Sequence, residues 1–258
     1  MDTYIDILNF DDTYKQEDYY KKVEFTWIDL SDMRNVNRYC ERESLLKLYT
    51  RIKNKKRTNM TFIGNGNYHY VTYLLLKDIK QPFTLVLFDN HTDMMKPPCS
   101  DIISCGSWVR ASLNNLTNLK KVVVIGPDEE LTKTAEEFDR NRVVFFTKQD
   151  IDSRKDILSF LSREIITDKV YVSIDKDILS PEEVKTNWDQ GSMKLKDLVM
   201  IVDKLQRKKE VFGVDVCGEY EADPCSCFTN ESVKAFEMNN EANNILLKEI
   251  EKVVAGDE

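Results

Sequence analysis

The chain contains only two histidines, and each ends or sits inside a cluster of residues able to do chemistry. Leu85-Val86-Leu87-Phe88 runs into Asp89-Asn90-His91-Thr92-Asp93. Val170-Tyr171-Val172-Ser173-Ile174 runs into Asp175-Lys176-Asp177, and Thr61-Phe62-Ile63 into Gly64-Asn65-Gly66-Asn67-Tyr68-His69. Four carboxylates and two imidazoles therefore follow three apolar runs. Carboxylates gathered where buried strands end cost several kcal/mol each unless a cation neutralises them. The i, i+2, i+4 spacing of Asp89, His91 and Asp93, and the i, i+2 spacing of Asp175 and Asp177, sends these side chains to one side of an extended strand. Mixed imidazole and carboxylate donors suit Mn²⁺, Fe²⁺ or Zn²⁺. Six such ligands exceed the needs of one tetrahedral ion and fit two divalent ions about 3.5 Å apart.

Apolar, β-branched runs recur at Phe25–Ile28, Thr61–Ile63, Phe83–Phe88, Lys121–Ile125, Val143–Phe146, Val170–Ile174 and Val211–Val216. Their continuity predicts strands buried on both faces. Between them, period-3.6 patterns predict helices at Glu43–Ile52, Ser107–Leu113, Glu129–Phe138, Asp150–Glu164 and Leu195–Lys208, with a closing helix over Glu231–Val254 whose stripe is Ile245, Leu246, Ile250 and Val253. The alternation predicts an α/β fold: a doubly wound, mostly parallel sheet in three layers with helices on both faces. Ligands of such sheets lie beyond the carboxyl ends of the strands, where the clusters fall. No repeat or Pro/Gly-rich linker divides residues 1–258, so a single domain is expected.

Composition narrows the function. Lys plus Arg total 37 against 45 Asp plus Glu, a net charge of −8, which argues against nucleic acid or anionic lipid as partner. No apolar run reaches the ~18 residues of a membrane span, and the N-terminus lacks a signal-peptide pattern. Six cysteines (Cys40, Cys99, Cys105, Cys217, Cys225, Cys227) then fit a reducing cytoplasm rather than a disulfide framework. Cys217, Cys225 and Cys227 have no fourth ligand at C-x₂-C spacing and read as structural. Gly64-x-Gly66 lacks the third glycine of a dinucleotide fingerprint. The basic run Arg51–Arg57 reads as a solvated helix end, and Trp188-Asp189-Gln190-Gly191 as a loop at a pocket mouth or a packed surface turn.

From about Phe62 to Glu219 the chain resembles the arginase/agmatinase (ureohydrolase) superfamily, and within it bacterial members known only as arginase family proteins. Asp89-Asn90-His91-Thr92-Asp93 matches that family's D-A-H-x-D, and Ser173-Ile174-Asp175-Lys176-Asp177 its S-F-D-x-D. Gly66-Asn67-Tyr68-His69 stands where the family has G-G-D-H, keeping the histidine and replacing the acid by Tyr68. The resemblance implies that His69, Asp89, Asp93 and Asp175 hold one Mn²⁺ and Asp89, His91, Asp175 and Asp177 the other. It implies a metal-bridging hydroxide that attacks a guanidinium, amidine or amide carbon, with Asp93 steering it and moving protons.

Departures from the family set the remaining expectations. In Ser104-Cys105-Gly106-Ser107-Trp108-Val109-Arg110, matching S-H-G-x-x-x-R, Cys105 replaces the histidine that helps protonate the leaving amine; a buried filler is the plainer reading of that thiol. Asp101 and Ile103 stand where arginases bind the substrate's α-amino-acid end, so arginine is expected to be a poor substrate and the protein agmatinase-like. Gly218 replaces the family's guanidinium-binding Glu, which leaves Glu219 as the expected cation anchor. The function expected is a binuclear metal hydrolase of a small cationic guanidino or amidino compound, in an assembly of several copies. Three alternatives stand beside it: an acetylpolyamine-type amide deacetylase, a thiol enzyme using Cys105 as nucleophile, and a metal-binding protein without turnover.

Overall fold

The computed structural model describes residues 4–53, 60–135, 137–139, 141–221, 223 and 225–254. Eight strands form one sheet: β1 (Tyr4–Asn9), β2 (Glu24–Asp29), β4 (Met60–Gly64), β5 (Phe83–Phe88), β7 (Leu119–Ile125), β8 (Val143–Phe146), β9 (Lys169–Asp175) and β10 (Glu210–Cys217). Their order is β2-β1-β4-β10-β9-β5-β7-β8, and every pairing is parallel. Two apolar layers cover it. Helices α1 (Arg42–Ile52), α2 (Val71–Lys77) and α3 (Trp108–Asn115) pack on one face through residues such as Leu48, Leu74 and Trp108. On the other face lie α5 (Ile157–Glu164), α6 (Leu195–Lys208) and α7 (Asn230–Val254). In α6 the buried Leu195, Leu198, Val202 and Leu205 recur at i, i+3, i+7 and i+10, one helical stripe. The expected three-layer α/β architecture is the one found.

Several elements differ from expectation. Two strands of three residues, β3 (Tyr39–Glu41) and β6 (Ile102–Ser104), pair antiparallel as a separate ribbon. β1 went unread because Asp6 and Asn9 interrupt its apolar run. β2 is an edge strand, half-exposed rather than buried on both faces. Glu129–Ala135 is a 3-10 helix, and the segment expected as one helix over Asp150–Glu164 is split into α4 (Lys148–Asp152) and α5. Arg154 in the left-handed region breaks it, and Asp156 caps the restart by accepting from the Leu158 and Ser159 amides. The side chain of Val253 and residues 54–57 of the basic run lie outside the described residues.

The polar face of α7 is a run of asparagines. Asn240 Oδ1 accepts from the Asp18 and Tyr19 amides, and Asn244 Oδ1 from Lys22 Nζ. Asn243 Nδ2 donates to Glu17 Oε2 and Glu219 Oε1, both at 2.8 Å. Glu17 is buried, and burial first, then the charge of Glu219, holds its carboxyl well above the ordinary range against the pull of Lys176. The folded chain therefore keeps a proton that the unfolded chain releases above pH ~4.3. Stability must fall as pH rises from that value toward the folded one. Glu17→Gln keeps the acceptor for Asn243 and removes the titration. Its melting temperature at pH 8 is expected to exceed that of the unaltered protein by roughly 2–4 °C, about 1 kcal/mol, and the gap should shrink toward pH 5. Thermal melts across this range check it; a variant no more stable at pH 8 contradicts it.

Candidate metal centre

The three clusters follow β4, β5 and β9, and with β10 these strands are contiguous in the sheet, as β4-β10-β9-β5. Simple alternation along extended strands does not bring the ligands together, because the strands end before or at the first acid. Each chain segment instead turns through the same device, a side-chain oxygen accepting the backbone amide two residues on. Asn65 Oδ1 accepts from the Asn67 amide at 2.8 Å, Asp89 Oδ1 from His91 at 2.6 Å and Asp175 Oδ1 from Asp177 at 3.0 Å. Short 3-10 turns continue over Gly66–Tyr68 and Lys176–Ile178. Asp93 adopts φ 51°, the left-handed region that Asp tolerates better than most residues.

All six expected ligands meet at this rim. His69 Nδ1 lies 3.1 Å from Asp93 Oδ2, 3.3 Å from Asp89 Oδ2 and 3.5 Å from Asp175 Oδ2. His91 Nδ1 lies 2.8 Å from Asp177 Oδ2 and 3.4 Å from Asp89 Oδ1. Three groups of possible ligands are formed: His69/Asp89/Asp93 and Asp89/His91/Asp177, which share Asp89, and His69/Asp175/Cys217.

Neighbours hold these groups in place. His69 Nε2 is 2.9 Å from Ser173 Oγ, whose own proton goes to Asp215 Oδ1 at 2.6 Å. Ser173 can then only accept from Nε2, which leaves Nδ1 as the nitrogen that faces the carboxylates and is placed to ligate a metal. Trp108 Nε1 donates to Asp93 Oδ2 at 2.5 Å. Sequence reasoning missed Ser173, Asp215 and Trp108 as supports. Ser173 and Trp108 lie within the quoted motifs, but only the fold shows what they touch.

The electrostatics test whether divalent ions fit. Burial and then the charge of Asp89 lift the Asp93 carboxyl to about 7. Burial opposes ionisation of Asp89, yet the imidazoles of His69 and His91 close beside it outweigh burial and hold Asp89 at about 2. Burial likewise opposes the His91 charge, but Asp177 and Asp89 raise that imidazole to about 12. Asp175 and Asp177 are raised by burial and by neighbouring carboxylates. Protons are thus pulled into a set of four carboxylates crowded against two imidazoles, while His69 Nδ1 and Asp89 Oδ2, both buried, find no aligned hydrogen-bond partner. Two divalent cations balance four carboxylates charge for charge, and the donor set fits them.

The small ribbon places the remaining groups. β3 and β6 pair Tyr39 with Ser104, so Arg38 and Cys105 become neighbours, the Cys105 amide donating to the Arg38 carbonyl at 3.0 Å. The Cys105 thiol feels the charges of Asp93, His69 and Asp175, and burial followed by Asp93 raises it to about 12. Arg38 Nε donates to Asn67 Oδ1 at 3.1 Å, and its guanidinium lies 5.0 Å from the centre of the Trp188 ring. Trp188 meets the His91 ring edge-on, 5.6 Å between centres. Its loop is tied to all three clusters, through Asn187 to Asn65, Asp189 to Asn90 and Gly191 to Asp177. The loop lies against the rim where the candidate ligands gather.

Two expectations are corrected. Glu219 is not a free cation anchor: its Oε1 is 2.6 Å from Lys176 Nζ, and both side chains are fully buried. Lys176, between Asp175 and Asp177 of its motif, is directed into this pair. Asp101 is exposed in a separate cavity of about 630 Å³ that also involves Arg42, Tyr73 and Arg110 but none of the six ligands, and Ile103 packs in the core. The disfavour of arginine that rested on these two residues loses its physical basis.

The sequence and the fold are both similar to those of known proteins. Over 160 residues, 62% of this chain, the sequence is 37% identical to an uncharacterised protein of Thermotoga maritima, and the match spans 58% of that protein's length. The fold is similar to agmatine ureohydrolase of Thermoplasma volcanium at TM-score 0.68 with 14% identity, covering 98% of this chain and 91% of that one. It is similar to arginase from Bacillus cereus at TM-score 0.67 with 13% identity, covering 95% and 98%. The Arginase family matches residues 6–225, nearly the whole span from β1 to the turn before α7, and the chain belongs to that family.

Proposed function

We propose that this protein is a metal-dependent hydrolase cleaving a C–N bond of a small guanidino or amidino compound. Two divalent ions, Mn²⁺ foremost, are assigned to His69, Asp89, Asp93 and Asp175 on one side and to Asp89, His91, Asp175 and Asp177 on the other. The observation that carries this reading is the convergence of four buried carboxylates on two oriented imidazoles. When bound, the ions supply an acidified water and polarise the substrate. Asp93, fixed by Trp108, orients that water and takes up its proton. Cys105, within reach of the charges of Asp93 and His69, is the donor to the leaving amine. Arg38, anchored on Asn67 and Trp188, leaves its terminal nitrogens to meet the far end of the substrate. That favours a carboxylate tail over an amine. Six unpaired cysteines fit a reducing, cytoplasmic setting.

The Mn²⁺-reconstituted chain should be screened for urea and ammonia release from agmatine, arginine, 4-guanidinobutyrate, formiminoglutamate and acetylated polyamines. Turnover of a guanidino or amidino compound is expected, with 4-guanidinobutyrate ahead of agmatine. Cleavage of acetylated polyamines alone would mark a deacetylase. No turnover with two ions bound would mark a binding protein, the reading that Cys105 and Gly218 motivate.

A further inference from the structure

Cys217 was read as structural, yet the fold carries it to the floor of the metal centre. It is the last residue of β10, and the sheet register sets it beside Asp175 on β9 and Gly64 on β4. The side chain is wholly buried, with Sγ 3.3 Å from Asp175 Oδ2. His69, Asp175 and Cys217 offer ligand atoms that all lie within 4.8 Å of one another. Gly218 follows in the positive-φ region, where a Cβ would stand 2.5 Å from Asp175 Oδ1, so only glycine lets the end of β10 press this closely against that acid. The same small group contains His69 Nδ1, buried and without an aligned hydrogen-bond partner. An imidazole nitrogen, a carboxylate oxygen and a sulfur thus surround one point from three adjacent strands.

We propose that Cys217 is a thiolate ligand of the ion held by His69 and Asp175. Binding breaks the S–H bond, forms a sulfur–metal bond and releases the proton to solvent. The two positions of the centre then differ: the one beside His91 and Asp177 has imidazole and carboxylates only, while the one beside His69 gains a soft donor. A thiolate shifts preference at that position from Mn²⁺ toward Zn²⁺, Fe²⁺ or Co²⁺. The inference rests on the proposed metal centre and adds to it.

The test uses the full chain loaded with Co²⁺ and, separately, with Zn²⁺. The Co²⁺ protein is expected to show a near-ultraviolet thiolate-to-cobalt charge-transfer band that Cys217→Ala abolishes while Co²⁺ stays bound, and that Cys105→Ala leaves intact. X-ray absorption at the zinc edge of the unaltered protein is expected to show a sulfur at about 2.3 Å beside nitrogen and oxygen at about 2.0–2.2 Å. This arm needs no variant and decides the matter if Cys217→Ala fails to fold. A band that survives in Cys217→Ala, or a zinc shell of nitrogen and oxygen alone, overturns the proposal and leaves the metal centre standing. Failure to bind either metal overturns both.

Discussion

Asp175→Ala is expected to strip the protein of most of its metal and to abolish turnover on any substrate that the unaltered chain cleaves. Asp175 lies against His69 and Cys217, and its Oδ1 shapes the turn that delivers Asp177. On the proposed assignment, removing it would withdraw a charge that both ions need and would loosen Asp177, a ligand of the second. Losing a partner that merely orients a ligand costs about 10–100-fold in metal affinity or activity, and the loss of a shared ligand is expected to exceed that. Ser173→Ala supplies the scale, because it spares all six ligands and removes only the acceptor that fixes the His69 tautomer. Its affinity should fall within the 10–100-fold range. Elemental analysis after dialysis, beside a turnover assay, reads both effects. Full two-ion occupancy in the double variant Asp89→Ala, Asp175→Ala would contradict the ligand assignment.

Cys105→Ser is expected to reduce kcat by about 100-fold or more while both ions stay bound. A positioned proton donor contributes on that order, and burial together with Asp93 raises the thiol. Cys105 as nucleophile would have to attack as the thiolate, the form that its burial disfavours. Cys105→His, which restores the residue the family carries at this position, is expected to raise kcat. If the thiol only fills space, Cys105→Ser costs about 1 kcal/mol of stability and leaves kcat alone. Unchanged kcat in both variants, with metal retained, ends the proton-donor reading.

The layers, the sheet and the gathering of the six candidate residues were legible because continuous apolar runs report strands buried on both faces, and because acids and histidines placed directly after such runs can only sit at the rim. What was illegible depends on contacts between distant segments. The ribbon that sets Arg38 beside Cys105 joins three-residue strands more than 60 positions apart, too short to carry a period. Glu219 was expected to anchor a substrate cation, and Lys176 fills the variable position of its motif. The two form a buried ion pair closed by Asn243 of α7, and nothing local announces that a lysine between Asp175 and Asp177 points the other way. Spacing also picked out residues that do converge, but for an incomplete reason. Asp89, His91 and Asp93 converge through a turn closed by Asp89 Oδ1 and a left-handed Asp93, not through strand alternation.

The central claim is that two divalent ions share the carboxylates of Asp89 and Asp175. It is tested most directly by anomalous scattering at the manganese edge from a crystal of the Mn²⁺-loaded chain. Two peaks about 3.5 Å apart are expected, one within bonding distance of His69 Nδ1 and the other of His91 Nδ1, with Asp89 and Asp175 reaching both. A map with no peak at this rim, or with a single peak that leaves one histidine without a metal, contradicts the account.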